Sequence, residues 1–342
     1  MVARLLTTLL LLALVLPVSA QEEFYSARVP VADRSDAALT AGIRDALRRV
    51  LIRVSGNDDI VDKTGVAAAI LGARDRVASY SYQQEEAQVY LSATFDDVLV
   101  KGILRDSDGT FWAQDRPPVL LWLVVDEPFS RRFATVSQDD ELLTALSQGF
   151  ADRGVTLRLP LLDLEDAAAL SPEMVWQSVT SRIRAASERY GTEHILVGRY
   201  VRLTTGALLA DWLYLDTETQ RREQVQGNVI GPVVYTGVDL SVDAMADRYA
   251  VTLESRAPTG YVTVVVSGVE SYLDYRSVMD IFRDLPLLES VSVAEVKGDI
   301  LAVRVTGISS TDALKRVLPS RSRLAVSDDM TPSRMFLHWG RP

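Results

Sequence analysis

An apolar run near the start of the chain sets the conditions under which the rest must fold. Arg4 supplies a positive charge, and Leu5 to Leu16 carries only Thr7 and Thr8 as polar interruptions. Pro17 then breaks the run, and Val18-Ser19-Ala20 forms a small-residue exit. This order is that of a secretory leader cleaved after Ala20. Its apolar core is too short for a bilayer-spanning helix, which needs about 20 residues. The mature protein is therefore expected in the periplasm or otherwise exported. The sequence contains no cysteine, which rules out a lipid anchor on a leader cysteine and any disulfide framework. Thiol catalysis, thiolate zinc sites and iron–sulfur clusters are excluded on the same ground. An exported chain without disulfides must be held by packed apolar cores alone.

About 322 residues remain after the leader, enough for two or three units of roughly 100–150 residues. The chain is 48% hydrophobic and 24% charged, the balance of an ordinary folded protein. A net charge of −10 argues against nucleic acid or anionic lipid as the main partner. Only His194 and His338 are available as imidazoles, so a multi-histidine metal site cannot be built. No later segment reads as a transmembrane span. Lysine is confined to Lys63, Lys101, Lys297 and Lys315, a scarcity read as genome composition.

The first unit is expected over residues 22–115. Phe24 to Val31 reads as a strand. Ser35 caps a helix whose apolar positions Leu39, Ile43, Leu47, Val50, Leu51 and Val54 follow the helical period. Ser55-Gly56-Asn57 stops it. Thr64 to Leu71 and Ala73 to Tyr80 are predicted as short helices, Gln88 to Phe95 as a half-buried strand. Asp96 caps a last helix to about Arg105.

Arg116-Pro117-Pro118 is the clearest boundary, since paired prolines stop regular structure. The second unit, 116–256, opens with the apolar run Val119 to Val125, a strand central in a sheet. Asp139-Asp140-Glu141 starts a helix ending at Arg153-Gly154, with acids at its positive end. Val155 to Leu159 is a second strand. Ser171-Pro172-Glu173 opens a long helix to Tyr190-Gly191, with proline at its first position. Strands follow at His194 to Leu203, Leu208 to Asp216 and Arg222 to Ile230, then a helix from Leu240 to Glu254. The order β-α-β-α-β-β-β-α is a mixed-sheet α/β design.

Ala257-Pro258-Thr259-Gly260 marks the second boundary. Residues 257–342 give a strand at Tyr261 to Val266, a helix at Ser271 to Asp284, and a hairpin of Val291 to Val296 with Ile300 to Val305. A helix at Thr311 to Leu318 follows, and Leu324 to Val326 begins a last strand. That β-α-β-β-α-β order is the ferredoxin-like pattern. The fold class is thus α/β and α+β in three units.

Catalytic candidates are few. Asp106-Ser107-Asp108-Gly109-Thr110 matches the opening motif of the haloacid-dehalogenase phosphatases, in which the first aspartate attacks phosphorus and both hold magnesium. That chemistry needs a buried strand to deliver the first aspartate, a lysine and a later acidic pair. Residues 97–105 read instead as a helix, so an exposed turn is the expectation. Asp58, Asp59 and Asp62 lack the twelve-residue calcium-loop pattern and read as a solvated loop. His194 has no partner nucleophile motif and reads as structural. His338 reads as a strand end or tail. Trp112, Trp122, Trp176 and Trp212 lie on separate elements and are expected in cores. The pairs Arg131-Arg132 and Arg221-Arg222 are expected on solvated surfaces.

Three stretches carry a resemblance: Val50 to Gly56, Pro118 to Asp126 and Ile195 to Tyr200. Together with the leader they resemble a proteobacterial envelope family catalogued as domain of unknown function 2066, over most of the mature chain. The middle unit, with Val197-Gly198-Arg199-Tyr200 and then Trp212 to Asp216, is similar to the α/β domain of envelope assembly proteins. These include the curli secretion lipoprotein, the Tol translocation protein's N-terminal domain and the outer-membrane activators of peptidoglycan synthases. The resemblance implies a non-catalytic interaction or scaffolding module with an envelope protein partner; no cofactor or metal is expected. It supplies no catalytic residues. The rival expectations are a magnesium-dependent phosphatase using Asp106 and Asp108, and a small-ligand binder with its pocket between the first two units.

Overall fold

A computed structural model describes residues 24–253, 260–285, 287–308, 310–319, 322–327 and 330–340. The leader and most of the second boundary segment fall outside them. The described chain forms three sheets of three or more strands with helices packed on them, an α/β and α+β architecture.

The first sheet has the order β1-β3-β2: β1 is Ser26–Val31, β2 Val77–Glu85 and β3 Gln88–Phe95. Helix α1, Asp36–Ser55, starts at Ser35, whose side chain accepts from the Ala38 N–H, and ends at Gly56 in the left-handed conformation. Its i, i+3, i+4 face buries Ile43, Leu47, Val50 and Val54 against Val29, Leu91 and Ala93. Helix α2, Thr64–Leu71, and helix α3, Asp97–Asp106, close the unit. The helix predicted over Ala73 to Tyr80 is not formed. Only Ala73–Asp75 is a 3-10 turn, and Val77 onward is β2, paired antiparallel with β3 in a hairpin. Ser79 to Tyr82 alternates small and aromatic residues, and cross-strand pairing decides a segment of that kind where helical propensity does not.

The second sheet has the order β10-β9-β8-β5-β6, with the two-residue β7 (Leu157–Arg158) also paired to β5. Its strands are β5 Val119–Asp126, β6 Arg131–Phe133, β8 His194–Arg202, β9 Leu208–Leu215 and β10 Gln220–Gly227. β5 and β8 are parallel and the other strand pairs β5–β6, β8–β9 and β9–β10 antiparallel. The unbroken apolar run of β5 is explained by burial on both faces. Leu121 and Leu123 pack under helices α4 (Val136–Asp152) and α8 (Ile230–Tyr249). Leu120, Trp122 and Val124 pack under α5 (Leu164–Ala169), α6 (Pro172–Trp176) and α7 (Thr180–Ser187).

Two expectations for this unit are corrected. The helix predicted from Ser171 to Tyr190 is broken at Ser178, which takes a left-handed φ of 55° between α6 and α7. The helix predicted from Leu240 begins instead at Ile230. Pro232 sits in the first turn, where a missing N–H costs no helical bond. Gly237 is the point at which the helix crosses Trp212: a Cβ there would lie 2.5 Å from the indole ring. Trp212 in turn donates to the Val233 carbonyl at 2.8 Å.

The third sheet has the order β13-β14-β12-β16-β15. β12 is Val262–Ser267, β13 Ser290–Lys297, β14 Ile300–Thr306, β15 Leu324–Val326 and β16 Arg334–Trp339; α9 is Tyr272–Arg283 and α10 Thr311–Val317. The β-α-β-β-α-β order holds, with one strand added. β15 takes the outer edge, and β16 inserts between it and β12, parallel to β12. Met335, Leu337 and Trp339 alternate inward and are buried, which is the force that draws this segment into the sheet.

Two main ties join the units among the described residues. A two-residue ladder pairs β4 (Thr110–Phe111) with β11 (Val251–Thr252), so the chain enters and leaves the second sheet through neighbouring strands. The buried residues of the first and third sheets form one continuous cluster through Phe111, Val251 and Leu253.

The other tie is Arg116, only 7% exposed. Its guanidinium donates to the carbonyls of Ala113 (3.1 Å), Arg153 (2.6 Å), Arg53 (2.6 Å) and Trp112 (2.9 Å). Arg53 belongs to the last turn of α1, and Arg153 is the C-cap of α4. The terminal carbonyls of a helix lack internal donors and carry partial negative charge, so a cation placed between two such ends fits both. Arg153 reaches back to the Gly56 carbonyl at 3.0 Å and pairs with Asp239 and Asp243 of α8. Removing the Arg116 side chain strips buried carbonyls of their donors. Arg116→Ala is expected to cost about 3–5 kcal/mol in denaturant unfolding. Arg116→Lys should recover less than half, because an ammonium has three donors and no planar fork. A loss below about 1 kcal/mol for the alanine variant would show that the junction does not depend on this residue.

Candidate functional site

A cleft of about 1070 Å³ opens where the three units meet. The first unit contributes Phe24, Tyr25, Lys101 and Phe111, and the connecting segment contributes Trp112 to Asp115 with Pro117 and Pro118. The second unit brings Glu193, His194, Glu218, Arg248 and Tyr249; the third brings Leu285, the α10 residues Lys315 to Val317 and the following Leu318. The lining combines aromatic and aliphatic side chains with charges of both signs.

The order of the floor comes from β8 and the end of α8. His194 is the first residue of β8, placed by the αL turn at Gly191 and by Thr192, whose hydroxyl donates to the Pro118 carbonyl. His194 is 1% exposed. Its Nδ1 lies 2.6 Å from the Tyr214 hydroxyl and its Nε2 3.0 Å from that of Tyr249. Tyr214 donates to Asp216 Oδ2 at 3.2 Å, and Asp216 Oδ1 accepts from the N–H groups of Glu218 (2.8 Å) and Thr219 (2.5 Å). Burial alone would raise the Asp216 carboxyl, but the N–H donors of Thr219 and Glu218 and the Tyr214 hydroxyl outweigh it and hold the pKa below the ordinary value. Burial pushes the His194 imidazole down to about 4, with Asp216 opposing weakly.

With Asp216 ionised, one assignment of the protons satisfies every contact. An ionised carboxylate only accepts, so Tyr214 spends its single proton on Asp216. Its oxygen must then accept from His194 Nδ1–H. The neutral ring is left with a bare Nε2, which accepts the proton of Tyr249. The chain runs Tyr249→His194→Tyr214→Asp216 in hydrogen-bond order, satisfied at every buried link. Such a histidine is a rigid spacer. It is neutral near pH 7, and both of its ring nitrogens are engaged by phenols.

The aspartates of the phosphatase motif lie elsewhere. Asp106 is the last residue of α3 and Asp108 sits in a left-handed turn with φ 46°, both exposed and away from the cleft. No strand delivers Asp106. Lys63 donates to the main-chain carbonyls of Ser107 and Asp108, at 2.9 and 2.6 Å. Gly109 does not adopt a left-handed conformation; it is required because a Cβ would press on Ile60 and the Leu104 backbone. Asp58, Asp59 and Asp62 lie on a 3-10 turn, and no group of three or more potential metal ligands converges among the described residues. His338 stands on the exposed side of β16, 3.1 Å from the Ser267 hydroxyl. Trp112, Trp122 and Trp212 are buried, whereas Trp176 is half-buried with the Arg131 and Arg199 guanidiniums over its ring. Arg131 and Arg132 pair with Asp126 and Asp139, Arg221 with Asp247, and Arg222 with Asp211. The sequence reading found neither Arg248 nor Tyr249, which follow no motif and become neighbours of His194 only through the long α8.

Among the described residues no helix is long and apolar enough to cross a membrane.

Because the unfolded chain binds a proton on His194 below about pH 6.5 and the folded chain does not until about pH 4, this residue contributes stability that is full above pH 6.5. That contribution is lost as pH falls through the window. The total is about 3 kcal/mol. Unfolding free energies measured from pH 7 to 4 should fall more steeply for the parent than for His194→Gln. Equal slopes would place the titration elsewhere. At the other site, Asp106→Asn should leave stability within about 0.5 kcal/mol of the parent and cellular function intact; a magnesium-dependent phosphatase activity lost in that variant would reinstate the enzyme reading.

A family model described as a domain of unknown function (DUF8605) matches residues 19–113, the stretch that holds the first sheet and its helices. No curated protein matches the chain.

Proposed function

We propose that this is an exported, periplasmic, non-catalytic module of the cell envelope that takes a segment of a partner protein into the cleft between its three units. The observation that carries the reading is the cleft itself. Its wall is assembled from three separate units, and it presents aromatic and aliphatic surface with a rim of both charges. A flat apolar patch would suit permanent association; a concave, partly polar lining suits an extended chain recognised by backbone and side chain together. The leader pattern at Arg4 to Ala20 supports export. The resemblance to the envelope family catalogued as domain of unknown function 2066, and of the middle unit to envelope assembly domains, supports an interaction role, by analogy of fold. The neutral, fully hydrogen-bonded His194 and the exposed position of Asp106 favour this reading over the phosphatase.

A photo-crosslinking residue placed at Leu318 in the cleft wall and expressed in cells should capture one defined protein. The same residue at Arg48, on the exposed side of α1, should not. Equal labelling from both positions would remove the cleft from the recognition site. A small molecule retained in native mass spectrometry, with no crosslinked protein, would favour the small-ligand reading instead.

A further inference from the structure

The donor and acceptor order along the floor of the cleft has a chemical consequence for whatever lies on it. Tyr249 lines the cleft, and its one proton is committed to His194 Nε2. Toward the cleft its oxygen can therefore only accept. Had Tyr214 turned its proton the other way, Tyr249 would have been free to donate, but the Asp216 carboxylate holds that proton at 3.2 Å. The polarity of a buried chain is thus transmitted to one exposed oxygen.

Carboxylates and one arginine share the lining near it; the Arg248 guanidinium lies over the Tyr249 ring, 5.4 Å from its centroid, so this aromatic face already takes a cation. Glu193 and Glu218 stand at the same rim. Among the described residues Glu193 makes no ion pair. The Trp112 and Tyr249 rings lie nearly parallel, with centroids 6.2 Å apart and an interplanar angle of 13°, and supply aromatic faces of the kind that attract cations. Three of the four cations that line the cleft are already engaged. Arg248 donates to the Thr217 hydroxyl at 3.2 Å and stands 3.9 Å from Asp216 and 3.7 Å from Glu218. Lys101, on the wall of the first unit, pairs with Asp97 at 2.7 Å. Arg316 of α10 donates to the Ala250 carbonyl at 3.1 Å, so a guanidinium is accommodated one residue from Tyr249.

We propose that the corner formed by Tyr249, Glu193 and Glu218 binds a cationic hydrogen-bond donor, the guanidinium or ammonium of a basic side chain on the partner segment. This rests on the cleft being the recognition site. The corner selects a donor by the direction of its hydrogen bonds and a cation by its carboxylates. An acidic or acceptor-only group placed there would face an oxygen that cannot donate and two negative charges.

The test uses the full mature chain and three tripeptides, N-acetyl-Ala-Arg-Ala-amide and its citrulline and glutamate counterparts, titrated while the amide resonances of Thr192 to His194 are followed. Citrulline keeps the shape and most donors of arginine without its charge. The arginine peptide should bind about tenfold more tightly than the citrulline peptide, and the glutamate peptide more weakly still. Glu193→Gln combined with Glu218→Gln should abolish most of the arginine preference while leaving the spectrum of the fold unchanged. Tyr249→Phe should weaken both donor peptides, citrulline included, because it removes the acceptor and not the charge. Equal binding of the three peptides at these resonances would overturn the cationic corner and leave the cleft reading standing. Peptides that shift none of these resonances would overturn it too; crosslinking from Leu318 then decides separately whether the cleft is used at all.

Discussion

Arg116 is a buried charge whose hydrogen bonds go to main-chain carbonyls, two of them at the ends of helices from different units. Burial, with Arg153 and Arg53 alongside, pulls its pKa well below the ordinary arginine value. That pull is chiefly the cost of taking a charge out of water, with repulsion from the two neighbouring guanidiniums added to it. Helix C-termini offset it because their partial negative charge is fixed in place and needs no reorganisation. The relative placement of the first two units follows from this arrangement. Gly154 fits the same point for a steric reason: with φ 70°, it leaves room for the Arg53 and Arg116 side chains, which a Cβ would approach at 3.0 and 3.2 Å. Arg53 reaches the Asp152 carbonyl at 3.0 Å and the Ser26 carbonyl at 2.7 Å, so the first strand of one unit and the last turn of the other are held by one side chain.

The cleft depends on that junction. Trp112 and the prolines at 117 and 118 form part of its lining, and their path is set by Arg116 between them. His194 is positioned across from Pro118 through Thr192. A buried polar chain of Tyr, His and Asp is costly when any link is unsatisfied and rigid when all are. Here it is satisfied end to end, and the rigidity is delivered to His194 and Tyr249, the two members that line the cavity. A binding surface prepared in this way loses little conformational freedom when it is occupied.

Much of the architecture was legible in the residues. The Ser35 cap, the period of α1, the apolar run of β5 and the Lys297-Gly298-Asp299 hairpin are local signals, and local physics decides them. The failures have equally definite causes. Ala78 to Tyr82 has no strong preference of its own and became a strand because β3 offered it an edge. The first half of α8 contains Gly231, Pro232 and Gly237, each unfavourable in an isolated helix, yet Gly237 is what lets the helix lie on Trp212. β16 was hidden by its position near the end of the chain, although Met335, Leu337 and Trp339 carry a clear alternation. The candidate site was almost illegible. His194 could be named, but its partners come from residues 214, 216 and 249, and no spacing rule connects them. Arg116 was read as part of a break between units, when its side chain is the fastening across that break.

The β4–β11 ladder has a mechanical side. Thr110 and Thr252 are paired, as are Phe111 and Val251, so a tensile load applied between the first and third sheets would reach this ladder before it reached the second. The two strands are antiparallel and would be drawn apart from the same end, so their hydrogen bonds would break in sequence. While the ladder is closed, the second sheet lies in a loop outside the load path. Once it opens, β5 and α8 become the connecting elements under tension, and the Tyr249 end of α8, next to Ala250 and Val251, would be the first part of the cleft floor to be displaced. The short ladder would thus set the order in which the chain gives way under load, ahead of the second sheet.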